Sequence, residues 1–215
     1  MSAIGERLAA VRARIPARVT LVAVSKTQPA EAIREAYAAG QRDFGENYAQ
    51  EWRDKAAALP DLRELVWHFI GALQTNKVKY LAGQVGWVHT VDRLALAQEI
   101  SRRSTARGAT TRVLLEVNVG GEASKSGCAP AEVPALAQAV AQLPGIALRG
   151  LMCIPPAEGD PRPHFAALRG LRDGLGLDLP ELSMGMSGDY EAAIAEGSTM
   201  VRVGTAIFGP RPTKT

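Results

Sequence analysis

Hydrophobic residues along this chain of 215 residues come in short runs that alternate with segments of helical spacing. The run at residues 19–25 leads through a turn into a helical pattern that ends before Gly40. The run at residues 112–119 is apolar and β-branched, and a loop and another helical pattern follow it. Parallel strands need such helical crossovers, so this alternation predicts a parallel sheet.

Eight runs are predicted as strands: residues 19–25, 43–45, 65–70, 85–89, 112–119, 146–153, 182–184 and 200–203. Helical patterns fill the intervals: residues 29–39, 48–59, 76–82, 92–103, 130–142, 164–174 and 189–196. Eight such units favour a closed (β/α)₈ barrel of the TIM type, with an open doubly wound sheet as the alternative. No long linker or composition shift interrupts the pattern, so we expect a single domain over residues 1–215.

An additional helix is predicted before the first strand. Ile4, Leu8, Val11 and Ile15 recur at helical spacing, which indicates one buried stripe. The segment is also rich in arginine, as transit peptides are. Because the chain enters the first strand without a linker, the packed helix is the favoured interpretation.

Composition narrows the classes of function and location. The net charge of +3 and the pI near 9.0 suit a phosphorylated small molecule, but no basic run indicates a nucleic-acid surface. The two cysteines, Cys128 and Cys153, suggest a reduced cytoplasmic protein rather than a disulfide scaffold. No apolar stretch reaches the roughly 18 residues of a membrane span.

Functional residues of such barrels lie at the carboxyl ends of the strands, where Lys26 follows the first predicted strand. The period of two along Val22 and Val24 directs Lys26 to the same face as the valines. Inside the barrel mouth, burial and neighbouring cations would make its amine a nucleophile for aldehydes. The alternative is a lysine that reaches out to water at a strand end.

A phosphate site is predicted after strands seven and eight. Ser187 precedes a short helix, and Gly204-Thr205 offers close backbone approach and a hydroxyl. Taken singly, Ser187 reads as a helix cap and Gly204 as a turn residue. Their occurrence together at the phosphate position of barrel enzymes favours phosphate binding.

Arg202 on strand eight shares a face with Met200 and Gly204, below the predicted phosphate site. A lysine, a phosphate site and an arginine suit pyridoxal phosphate (PLP), with the arginine at the ring nitrogen. An arginine does not give up its proton, so that nitrogen would stay unprotonated. His68, His89 and His164 lie far apart in the sequence without a cysteine or carboxylate at ligand spacing, so we expect no dedicated metal site.

Several segments together resemble the pyridoxal phosphate homeostasis protein family, whose members are similar to the barrel domain of bacterial alanine racemase. The segments are residues 22–26, 44–48, 67–71, 73–77, 183–187, 202–205 and 208–209. They follow one another in order over nearly the whole chain.

The resemblance implies an internal aldimine of PLP on Lys26 and a pyridine nitrogen facing Arg202. It implies that phosphate is held by residues that follow the last two strands: Ser187, Gly204 and Thr205. It further implies that Asn47 and His68 line the pocket and that Lys125 is a secondary lysine near it. An exposed loop lysine is the simpler interpretation of Lys125.

In the racemase, a second domain supplies a tyrosine as the second base, and none of the four tyrosines of this chain matches that role. We therefore expect a non-catalytic carrier and buffer of PLP, a cytoplasmic monomer that serves apo forms of PLP-dependent enzymes. The alternatives are a weak PLP-dependent racemase and a sugar-phosphate isomerase or epimerase. A nucleic acid or a membrane is not an expected partner.

Overall fold

The computed structural model describes residues 2–122 and 125–210. Its strands are β1 Thr20–Val24, β2 Asp43–Glu46, β3 Val66–Phe69, β4 Trp87–Val91, β5 Thr111–Glu116, β6 Ile146–Met152, β7 Glu181–Met186 and β8 Met200–Val203. Each strand pairs in parallel with the next, and β8 pairs with β1, which closes the barrel. The predicted (β/α)₈ barrel is confirmed.

Helices connect the strands as the spacing predicts. The α-helices of the described residues are α1 Ala3–Arg12, α2 Ala30–Ala38, α3 Ala49–Ala58, α4 Val78–Leu81, α5 Leu94–Ala106, α6 Val133–Ala141, α7 Arg162–Asp173, α8 Tyr190–Ala195 and α9 Thr205–Phe208. Short 3₁₀ turns, Thr75–Lys77 and Pro130–Glu132, directly precede α4 and α6. None of these helices is both long and apolar enough to cross a membrane.

Helix α1 is the additional N-terminal helix. The Ser2 hydroxyl accepts a hydrogen bond from the Gly5 amide at 3.2 Å, which satisfies one of the amides that a helix start leaves open. Leu8 and Val11 are buried and belong to the same apolar cluster as residues of α2 and α9. The predicted packed helix is thereby confirmed.

The bounds of several elements differ from the sequence prediction, and two of these differences bear on the site. Strand β4 continues past His89 to Val91 because the polar side chains there are satisfied inside the fold. His89 is bonded within the barrel, and the Thr90 hydroxyl donates to the Gly71 carbonyl oxygen at 2.7 Å. Helix α9 follows β8, where no helix was predicted, and it brings Thr205 to the end of the barrel.

The barrel interior changes in chemistry along its axis. An apolar cluster of Trp87, Leu114, Met152 and Met200 fills one layer. Met200 of this cluster is followed along the chain by Arg202 and Gly204, which line the cavity. These two residues therefore lie closer to the carboxyl ends of the strands than the apolar layer does.

Candidate cofactor site

A cavity of about 300 Å³ opens at the carboxyl ends of the strands. Six of the seven predicted site residues line it: Lys26, Asn47, Ser187, Arg202, Gly204 and Thr205. Apolar side chains complete much of the wall: Val24, Ile70, Ile154, Met186 and Phe208. Distant parts of the sequence thus meet in one concave site, as small-molecule sites require.

Lys26 lies two residues beyond the end of β1, and its half-buried side chain lines the cavity together with Val24. The preceding residue, Ser25, is fully buried. The following residue, Thr27, has a left-handed backbone (φ 63°), which residues other than glycine rarely adopt. The backbone around Lys26 is therefore held in a specific, costly conformation.

A buried ionic cluster holds the residue before Lys26. Lys55 of α3 donates to the Ser25 carbonyl oxygen and to Glu46 Oε1, both at 2.7 Å. The Ser25 hydroxyl donates to the same carboxylate oxygen at 2.6 Å. Burial raises the pKa of Glu46, and the adjacent Lys55 ammonium acts against that shift.

The same cluster reaches the residue after Lys26. Glu51 accepts a hydrogen bond from the Thr27 amide at 2.5 Å and pairs with Lys55 at 2.6 Å. Lys55 thus connects the backbone on both sides of Lys26. The sequence pattern did not indicate this cluster, although the i,i+4 spacing of Glu51 and Lys55 on one helix was a visible signal.

The predicted phosphate residues form one hydrogen-bonded group. The Ser187 side chain accepts from the Thr205 hydroxyl at 3.3 Å and from the Gly204 amide at 3.4 Å. Gly204 also begins α9, whose first-turn amides have no acceptor within the helix. Gly185 allows the chain to turn toward this group: its φ is 95°, and a Cβ there would lie 2.6 Å from that of Ala193.

Arg202 is almost completely buried in the cavity wall. Its Nη1 donates to the Ser183 hydroxyl at 2.7 Å, and its Nη2 donates to the Cys153 carbonyl oxygen at 3.0 Å. Burial lowers the pKa of its guanidinium, but an arginine keeps its proton in proteins. Arg202 therefore supplies a fixed positive charge with only N–H donors.

Asn47 lies close to a backbone that admits only glycine. A Cβ at Gly71 would lie 2.2 Å from the Asn47 carbonyl oxygen. The side-chain oxygen of Asn47 is buried and has no hydrogen-bond partner in the structure. A buried amide in this state suits a ligand with polar groups.

The structure places the two remaining candidates outside this cavity lining. His68 lies within the barrel, where its ring nitrogens contact Asp43 and His89 at 2.9 Å each. Lys125 donates to the Pro155 carbonyl oxygen at 2.9 Å and pairs with Glu122 at 2.5 Å. Pro155 follows Ile154 of the cavity wall, so the Lys125 loop adjoins the site.

The charge of the site is one-sided. Lys26 and Arg202 line the cavity, whereas no aspartate or glutamate of the described residues does. Two cations and no carboxylate favour an anionic ligand.

Comparison with known proteins agrees with these features. The family described as alanine racemase, N-terminal domain, matches residues 1–212. A pyridoxal phosphate homeostasis protein of Pseudomonas aeruginosa is 54% identical, over 98% of this chain and 97% of its own. One from Escherichia coli is 50% identical, over 92% and 88%.

The chain belongs to the pyridoxal phosphate homeostasis protein family. PipY of Synechococcus elongatus, solved without PLP, is 44% identical, with a TM-score of 0.92 over 96% of this chain and 100% of PipY. Its structure with PLP bound gives a TM-score of 0.90 at 43% identity. The barrel of this chain is therefore a close structural match to PipY.

The likeness to alanine racemase concerns the fold. The racemase of Corynebacterium glutamicum is 18% identical, with a TM-score of 0.75 over 98% of this chain and 61% of the racemase. This chain thus shares the barrel architecture of the racemase, and an identity of 18% shows no more than that.

Proposed function

We propose that this protein binds PLP through Lys26 and serves in the intracellular homeostasis of that cofactor. The observation that carries the proposal is the meeting of Lys26 and Arg202 with Ser187 and Thr205 in one cavity that no described carboxylate lines. Each of these groups suits a different part of PLP, an aldehyde, a heterocyclic nitrogen and a phosphate.

Lys26 supplies the amine in this proposal. Lys26 would hold PLP through the aldehyde, with its neutral amine as the nucleophile. Bound PLP supplies the reactive carbonyl and visible absorbance. The ionic cluster around Lys55 keeps the Lys26 backbone in place for this reaction.

Three further contacts are proposed. Ser187 and Thr205 donate hydroxyl hydrogen bonds to the phosphate, beside the amides at the start of α9. Arg202 donates to the ring nitrogen, which a permanently protonated partner keeps in the acceptor state. Asn47 provides its amide, whose oxygen lacks a hydrogen-bond partner among the described residues.

The relatives support the role of PLP. The proteins of Pseudomonas aeruginosa and Escherichia coli, at 54% and 50% identity, carry the name pyridoxal phosphate homeostasis protein, and PipY has been solved with PLP bound. These names point to supply and buffering of the cofactor rather than to a racemase reaction. We therefore propose a non-catalytic protein.

We further propose that residues 1–215 form a single domain and that the protein is a cytoplasmic monomer. In this proposal it delivers PLP to apo forms of PLP-dependent enzymes. Both cysteines are buried free thiols, which suits a reducing compartment. Light scattering tests the monomer, and activation of an apoenzyme by the loaded protein tests the delivery.

Absorbance spectra of the purified protein and its Lys26→Ala variant, each incubated with PLP, test the central claim. We expect a visible Schiff-base band in the wild type and its loss in Lys26→Ala. Lys79→Ala, which removes an exposed lysine of α4, is the matched control and should keep the band. A wild type without the band would overturn the proposal.

Deuterium exchange separates a carrier from a racemase. The loaded protein is incubated with alanine in D₂O, and exchange at Cα is followed by NMR. We expect no Lys26-dependent exchange. Exchange that disappears in Lys26→Ala would replace the carrier by a weak enzyme.

A further inference from the structure

A line of hydrogen-bonded side chains crosses the barrel interior from Arg202 to Asp43. Arg202 Nη1 donates to Ser183 Oγ at 2.7 Å, and Ser183 Oγ lies 2.9 Å from His89 Nδ1. His89 Nε2 lies 2.9 Å from His68 Nδ1, and His68 Nε2 lies 2.9 Å from Asp43 Oδ1. Five strands, β2, β3, β4, β7 and β8, contribute to the line, which joins the cavity wall to the first residue of β2.

The two ends of this line dictate its direction. A guanidinium only donates, and an ionised carboxylate only accepts. With neutral imidazoles, one arrangement satisfies every atom: Ser183 donates to His89, His89 Nε2–H donates to His68, and His68 Nε2–H donates to Asp43. In the reverse arrangement, His68 Nε2 would be an acceptor that faces the acceptor oxygen of Asp43. That contact would need one additional proton between the two atoms.

Burial keeps both imidazoles of the line neutral. His68, His89 and Ser183 are at most 1% exposed. Burial lowers the pKa of His68 and, more strongly, that of His89. The indole of Trp87 stacks on His68 with ring centres 5.8 Å apart, which fixes the plane of the imidazole.

A line of buried polar side chains lowers the stability of the fold if it does no more than fill the barrel interior. The adjacent cluster of Trp87, Leu114, Met152 and Met200 shows that apolar side chains can fill this part of the barrel. Buried polar groups are retained at a cost in stability and commonly provide a specific geometry. What the line fixes is the guanidinium of Arg202, whose Nη2 is held separately by the Cys153 carbonyl oxygen.

We propose that Asp43, His68, His89 and Ser183 are positioning residues, which orient the Arg202 guanidinium toward the cavity through a hydrogen-bond chain of fixed direction. None of the four needs to touch the ligand. The identity of that ligand as PLP rests on the proposed function, whereas the direction of the chain does not.

Nitrogen-15 NMR of the histidine rings in the ligand-free protein tests the direction. We expect both His68 and His89 as Nε2–H tautomers at neutral pH, with Nδ1 as an acceptor. His164, which does not belong to this hydrogen-bonded line, provides an internal reference. An Nδ1–H tautomer or an imidazolium at His89 would overturn the proposal, whatever the protein binds.

Affinity for PLP tests the positioning. Ser183→Ala removes the hydroxyl between Arg202 and His89, and we expect the Kd to rise about tenfold. Ser198→Ala is the matched control, because the hydroxyl of this buried serine bonds only to the Leu182, Met184 and Met200 carbonyl oxygens among the described contacts. A Ser183→Ala variant that binds PLP as Ser198→Ala does would contradict the positioning role.

A second pair of variants covers the case in which Ser183→Ala does not fold. Glutamine at position 68 retains one amide donor and one carbonyl acceptor, whereas leucine retains neither. We expect His68→Leu to bind PLP at least about fivefold more weakly than His68→Gln. Equal affinities of His68→Leu and His68→Gln for PLP would overturn the positioning proposal. A wild-type protein that shows no Schiff-base band would instead refute the proposed function.

Discussion

Lys55 of α3 donates a hydrogen bond to the backbone carbonyl oxygen of Ser25 at 2.7 Å, directly before Lys26 of the candidate cofactor site. The same ammonium pairs with Glu46, whose side chain is completely buried. The charge on α3 and the conformation of the Lys26 backbone are therefore one structural unit. Removal of the Lys55 charge should therefore lower the free energy of unfolding, which can be measured separately from the affinity for PLP.

Lys55→Met should lower the free energy of unfolding by about 3–5 kcal/mol, because it leaves the Glu46 carboxylate buried without its cation. Urea unfolding measures the loss. The double variant Lys55→Met/Glu46→Gln should recover part of it, since no charge stays buried. Lys79→Met at an exposed site should change stability by no more than about 0.5 kcal/mol. A Lys55→Met variant as stable as Lys79→Met would show that the cluster is not ionic.

Gly71→Ala should displace Asn47 from the cavity wall. A Cβ at this position would lie 2.2 Å from the Asn47 backbone oxygen, so one of the two segments must move. We expect a loss of about 1–3 kcal/mol in stability and a weaker affinity for PLP. Isothermal titration of the folded variant measures the affinity.

Gly170→Ala is the control for that substitution. A Cβ at this exposed glycine of α7 meets no atom within 4 Å, so a helix-favouring alanine should be neutral or stabilising. An affinity for PLP that falls equally in both variants would contradict a specific role of the Gly71–Asn47 contact.

The sequence predicted the barrel and the positions that line its cavity better than the contacts behind them. Lys26, Ser187 and Arg202 lie near the ends of strands whose apolar runs are easily recognised, and parallel strand ends meet by topology. His68 and His89 are far apart in the sequence, and only the register of β3 and β4 makes them neighbours. The contact of Lys55 with Ser25 likewise depends on how α3 packs, which spacing does not encode.

Glu116 should make the protein less stable as the pH rises. Burial raises its pKa from 4.5 to about 7 in the folded protein, with Asp92 adding to the shift and Arg202 opposing it. Between these values the unfolded chain has released the proton and the folded chain has not, so ionisation favours unfolding. The difference corresponds to about 3 kcal/mol, lost progressively from pH 4.5 to 7.

Glu116→Gln should remove that loss, so its stability advantage over the wild type should be larger at pH 8 than at pH 5. Urea unfolding at both pH values measures the difference. Glu35→Gln at an exposed position of α2 should give the same difference from the wild type at both. A constant advantage for Glu116→Gln would mean that its carboxyl titrates normally.

Ser187→Ala should weaken the binding of PLP by about tenfold, because a hydroxyl that donates to a charged phosphate contributes about 1.5–3 kcal/mol. Pyridoxal, which lacks the phosphate, should bind wild type and variant within about twofold of each other. Ser104→Ala removes a buried hydroxyl that bonds to Thr111 away from the cavity, and it should alter neither affinity. Fluorescence titration with both ligands measures all three proteins. If Ser187→Ala weakened pyridoxal as much as PLP, the serine would act on the cavity as a whole and the phosphate would have to bind elsewhere.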